Sequence, residues 1–343
     1  MKLIAHIGLP KTGTSAIQKF LWENRKSLLK KYGVLYPESG SFNVSIYSYK
    51  AHYKIAFCFD IFEEKGLFFQ KDEILSSLID EIRQVMPEVV ILSCETFSLI
   101  KKPEEFFESL RKFDFKEFYL VLYIRRQDLW FESSYKQVVK TGECSTFFSK
   151  KPIRIHLEII DFNRFLAKWI PFVLKDNIYI RIYDRKTLYL NNIVTDFCFV
   201  LSKILKQDLG LDDEFSNYNN ANPSLSHIST LVKLKINLNY KLTPKEHLEV
   251  SNYLLKLDRE EGSGPLKTFF TLDERIEFLE RFRESNERLF REWFNSENKF
   301  VLTQEEIEFY KEQDRIPKEE IERLVEERYQ KVVENVIKKI EVV

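Results

Sequence analysis

The sequence predicts an α/β protein: a P-loop-like, three-layer fold with a central, mostly parallel sheet flanked by helices, followed by a helical C-terminal extension. Two observations carry this. Short apolar runs of strand length alternate with helical patterns, which is how parallel sheets are wound. The first of these runs leads through a glycine-bearing loop straight into a helix, the arrangement of a phosphate cradle.

Leu3 to Ile7 reads as a buried strand, and Ile17, Phe20, Leu21, Leu28 and Leu29 then recur at helical spacing. Val89 to Leu92, Phe118 to Ile124 and Ile178 to Tyr183 are further strand-like runs. Asn217 to Pro223 reads as a loop that closes the sheet-forming part, and the remainder is helical. Thr303 with Glu306 has the form of a capping box, and Pro317 separates that polar helix from a last one. In the last helix Val325, Tyr329, Val332, Val336 and Ile340 form an apolar stripe that can dock on the chain's own body or join a second copy. The expected division is residues 1–300 as the α/β domain and 301–343 as the charged extension.

A chain of 343 residues buries a full core. Lys plus Arg and Asp plus Glu each total 53, so no net field points to nucleic acid or an anionic membrane. The four cysteines are far apart and form no CxxC pair, which suggests a reduced, cytoplasmic protein. The N-terminus lacks the apolar stretch of a signal peptide, and no run is long enough to span a membrane.

Parallel sheets bind ligands beyond the carboxyl ends of their strands, which singles out Gly8 to Ser15, Ser93 to Glu95, and Arg125 with Arg126. In GLPKTGTS the spacing of Gly8, Gly13 and Ser15 is that of a P-loop, but Thr14 stands where a Walker lysine would be and the lysine is Lys11. Pro10, Lys11, Thr12, Gly13, Thr14 and Ser15 therefore offer N–H groups, hydroxyls and one cation to a phosphate or sulfate.

PKTGTS, within HIGLPKTGTSAIQKFL and followed by GVLYP, resembles the first loop of the sulfotransferases that use 3′-phosphoadenosine-5′-phosphosulfate (PAPS), especially bacterial members. YIRRQDLWFESSY adds to the resemblance by placing Arg125 at a strand end and Ser133 eight residues later, the pair that holds the nucleotide's 3′-phosphate in that family. The likeness extends over about residues 1–295, through ANPSLSHISTLVKLKIN and RFRESNERLFREWF; an RKGxxGDWK-like nucleotide cover is not visible.

The resemblance implies transfer of a sulfuryl group from PAPS to an acceptor hydroxyl, leaving adenosine 3′,5′-bisphosphate, with no metal expected. Lys11 would stabilise the leaving phosphate. Glu95, just after the strand VVILSC, and His52, in YSYKAHYKIAF, are both candidates for the general base. The acceptor expected from bacterial relatives is a glycan, a glycolipid headgroup or another hydroxyl compound. Two other readings stay open: a P-loop NTPase or small-molecule kinase, and a non-catalytic nucleotide-binding assembly module.

Overall fold

The computed structural model describes residues 1–43, 50–59, 70–144, 146, 148, 158–209 and 223–340. The expected loop from Asn217 lies outside them as far as Asn222. The chain forms two compact units: residues 1–125 with 157–222, and residues 126–156 with 223–343. The segment 301–343 is grouped with residues 223–300 in the second unit.

The first unit holds a sheet of five parallel strands: β1 (Lys2–His6), β2 (Val34–Leu35), β3 (Val89–Ser93), β4 (Glu117–Ile124) and β5 (Ile178–Ile182). Their order is β2-β3-β1-β4-β5, so β1 is central, with His6 opposite Ser93 on one side and Val121 on the other. The direction of winding reverses at β1, which makes its carboxyl end the topological switch point. β3 is buried along its whole length, as a strand covered on both faces must be.

On one face pack α1 (Thr14–Tyr32) and α7 (Ile193–Leu205). Ile17, Phe20 and Leu21 of α1 and Phe197 and Leu201 of α7 close over Ile4, Ile91, Val121 and Tyr123. On the other, Phe107 of α4 (Pro103–Arg111) meets Phe118 at 5.4 Å and Trp169 at 5.9 Å. Between α1 and α4 lie the short α2 (Tyr53–Phe57) and α3 (Lys71–Val85), and α6 (Phe162–Ala167) precedes β5.

The second unit is helical: α5 (Gln127–Lys140), α8 (His227–Asn239), α9 (Pro244–Glu260), α10 (Leu272–Glu280), α11 (Arg283–Leu289), α12 (Gln304–Asp314) and α13 (Lys318–Val332). Asp128 and Glu132, one turn apart on α5, both take hydrogen bonds from the fully buried Arg275 of α10. Burial alone would raise the Asp128 carboxyl, but Arg126 and Arg275 hold it below the usual carboxylate range. Arg126 also donates to Glu306 at 2.9 Å, and Glu306 closes the capping box of α12 with Thr303. The terminal stripe is used inside its own unit: Val332 and Ile337 are buried, and Val325, Tyr329, Val336 and Ile340 pack against Val250, Leu254 and their neighbours. Ser226 caps α8, its hydroxyl accepting from Ser229 N–H and donating to Asp258.

Candidate functional site

Between β1 and α1 the loop is folded tightly by its own residues. Lys11 takes a left-handed backbone with φ 66°, uncommon outside glycine, and Gly13 follows at φ 84° as the N-cap of α1. A Cβ on Gly13 would lie 2.8 Å from both Ile193 and Tyr183, and one on Gly8 only 2.0 Å from the Thr14 methyl. At either glycine a side chain would force a neighbour to shift, and at Gly13 the positive φ would strain it as well. The Thr12 hydroxyl donates to the Leu9 carbonyl at 2.6 Å and is buried, so it shapes the loop. Thr14 is also buried, whereas Pro10, Lys11, Gly13 and Ser15 are partly exposed. The first N–H groups of α1 have no acceptor within the helix and sum with its dipole, so an anion is favoured here.

The neighbouring strands bring Arg125 and Glu95 to this same edge of the sheet. β4 ends at Ile124, and the Arg125 guanidinium donates to the Lys11 carbonyl at 3.3 Å while lying 5.6 Å from the Tyr183 ring centre. β3 ends at Ser93, and Glu95 opens the 3₁₀ turn Glu95–Leu99. One Glu95 oxygen accepts from the Gln18 amide of α1 at 2.8 Å, and the other from the Tyr53 hydroxyl at 2.5 Å. Arg126, beside Arg125 in sequence, is spent on Asp128 and Glu306.

His52 is fully buried, and both ring nitrogens are engaged. Nδ1 accepts from Ser93 N–H at 3.0 Å, and Nε2 donates to the Pro37 carbonyl at 3.1 Å. Burial lowers its pKa to about 4, although the two backbone carbonyls it faces pull the other way. A neutral imidazole so bonded has no ring nitrogen left to accept a further proton, whereas the Glu95 carboxylate keeps free lone pairs. His6 is neutral too, burial having lowered its pKa to about 3, with Nδ1 2.8 Å from the Ser93 hydroxyl. Ser133 belongs to the second unit, on the second turn of α5.

Sequence reasoning did not single out Gln18, Tyr53 or Tyr183. Gln18 carried a signal: it is a polar residue between Ile17 and Phe20, on the part of α1 that enters the core, and only 1% exposed. Tyr53 and Tyr183 carried none, since a tyrosine beside an apolar run reads as core until its neighbours are known.

The described residues hold no group of three His, Cys, Asp or Glu side chains arranged for a metal, and no helix long and apolar enough to cross a membrane. No family model matches the chain, and no solved structure matches it. An uncharacterized protein of Archaeoglobus fulgidus is 51% identical over 217 residues, covering 63% of this chain. The match spans little more than half of that relative, 56% of its length.

Proposed function

We propose that this chain is a sulfotransferase that moves a sulfuryl group from PAPS to an acceptor hydroxyl. The observation that carries the reading is the loop itself: it keeps the P-loop cradle but carries its lysine at position 11, on a left-handed residue whose carbonyl takes a hydrogen bond from Arg125. A cation there suits a bridging oxygen, and a guanidinium on the next strand suits a second, dianionic phosphate.

The acceptor oxygen attacks sulfur in line with the oxygen that bridges sulfur to the nucleotide's 5′-phosphate. The S–O bond to that bridge breaks, adenosine 3′,5′-bisphosphate leaves, and the acceptor's proton passes to Glu95. Lys11 and the N–H groups of the loop meet the charge that grows on the leaving phosphate, so the scheme calls for no metal. Arg125 takes the 3′-phosphate. Ser133 is retained for that phosphate on the strength of the resemblance alone. The acceptor class that fits the resemblance is a carbohydrate or glycolipid hydroxyl, and a reduced, cytoplasmic setting suits cysteines that form no disulfide.

Calorimetric titration tests the reading. Adenosine 3′,5′-bisphosphate should bind without metal and more tightly than ATP with magnesium; the reverse order would make the protein a kinase or NTPase. Lys11→Ala should cut transfer by roughly 100- to 1000-fold while leaving bisphosphate affinity nearly intact. Arg125→Ala should chiefly weaken that affinity. Equal losses of binding in both variants would contradict the separate roles.

A further inference from the structure

We propose that Gln18 and Tyr53 are positioning residues that fix the Glu95 carboxylate for proton abstraction; the inference rests on the sulfuryl-transfer reading and extends it to two residues. The two donors reach Glu95 from different elements, Gln18 from α1 and Tyr53 from α2, and each takes one carboxylate oxygen, at 2.8 Å and 2.5 Å. Two hydrogen bonds on two oxygens set both the position and the plane of the group. A carboxylate has about four acceptor sites, so others are left for a hydroxyl proton.

Gln18 is the more telling of the pair. Its Oε1 is buried with no hydrogen-bond partner among the described residues, while its amide nitrogen serves Glu95. Packing alone is served by the apolar side chains beside it in α1, Ile17, Phe20 and Leu21. Because α1 starts at Thr14, the same helix that ends the phosphate loop also holds the base. Tyr53 is 2% exposed, and its ring edge packs against Phe42 at 5.7 Å, so its hydroxyl is presented from a fixed ring.

The titratable groups around Glu95 are held in their neutral forms. Tyr53 and Cys94 are pushed above their ordinary range, first by burial and then by the Glu95 charge. Tyr36 is pushed up by burial, then by Cys94 and Glu95. All three are therefore neutral near pH 7 and serve as donors or apolar wall. The Ser98 hydroxyl binds the Glu95 backbone carbonyl at 2.6 Å and holds the turn itself.

The test uses the full chain with Tyr53→Phe, which keeps the ring, and Gln18→Met, which keeps the length. Radiolabelled PAPS is supplied with water alone and with an added oligosaccharide, and released or transferred sulfate is followed against pH. Each variant should lose about tenfold in kcat, keep its affinity for adenosine 3′,5′-bisphosphate within about twofold, and show the acid limb of its pH–rate profile about one unit higher. A fall in kcat with the limb unmoved would mark a merely structural role and overturn the proposal. A carbon-13 titration of the Glu95 carboxyl in wild type and Tyr53→Phe gives a readout that needs no activity: the midpoint should rise in the variant, and equal midpoints overturn the proposal. Wild type that neither releases nor transfers sulfate sinks the sulfuryl-transfer reading, while the titration still judges whether Tyr53 acts on Glu95.

Discussion

Lys233 gives the sharpest test of the energetics of the second unit. It lies on α8, fully buried, and among the described residues its ammonium meets only neutral acceptors: the Asn237 side-chain oxygen and His247 Nδ1, the latter at 2.8 Å. Burial lowers its pKa from 10.5 to about 7, and His247 beside it is lowered to about 4, first by burial and then by Lys233. The unfolded chain therefore binds a proton at Lys233 more tightly than the folded one does. Between about pH 7 and 10.5 the unfolded state carries the extra proton, so stability rises with pH across that window and is flat below it. At ~1.4 kcal/mol per pH unit, this residue withholds on the order of 4 kcal/mol at pH 7 and returns about half of it by pH 9. Replacing it by methionine, which fills the same space without a charge, removes the penalty and strands one Asn and one His acceptor, a loss of about 1–3 kcal/mol. Urea unfolding of wild type and Lys233→Met at pH 7 and pH 9 reads the difference. The wild type should gain about 2–3 kcal/mol more than the variant over that interval. The same pH slope in both proteins would refute the claim that Lys233 is buried without a counter-charge.

The other predictions concern the loop and the second unit. Gly8→Ala places a methyl where the Thr14 methyl already sits, so bisphosphate binding in calorimetry should fall by at least tenfold; an unchanged affinity would show that the loop is not the anion site. Thr303→Ala removes the α12 cap and should lower stability by about 1 kcal/mol in thermal unfolding. Arg275→Met strips Asp128 and Glu132 of their shared partner and should cost about 3–5 kcal/mol, read as a large drop in the denaturant midpoint.

Four of the five strands were legible as apolar runs because parallel strands covered on both faces need no polar alternation, as β3 illustrates. β2 was not, for two residues, Val34 and Leu35, carry no period. Arg125 and Glu95 could be placed beside the loop because strand ends in a parallel sheet meet at one edge, and the register of β1 with β3 and β4 brings them there. The division into units was hidden for a different reason. Asp128 and Glu132 read locally as the solvated charges of an ordinary helix, and the partner they share, Arg275, lies more than 140 positions away; the Gln127 and Asn286 amides, which also tie α5 to the helices that follow residue 223, are just as distant in sequence.

The same limit decides between the two candidate bases. His52 and Glu95 both attach to the end of β3, His52 through the Ser93 amide and Glu95 through the chain, so sequence position could not rank them. What separates them is how many acceptor sites each has left. An imidazole has two nitrogens, and both of those of His52 are consumed by backbone groups in a fully buried place. A carboxylate gives each of two donors an oxygen and still has lone pairs in reserve. The donors that anchor Glu95 therefore leave it lone pairs to accept a further hydrogen bond, whereas the bonds that anchor His52 occupy both of its nitrogens. If Glu95→Gln lost transfer but His52→Asn merely lowered the melting temperature, that difference in capacity would be the cause; the opposite pattern would mean that the backbone bonds to His52 open when the acceptor binds.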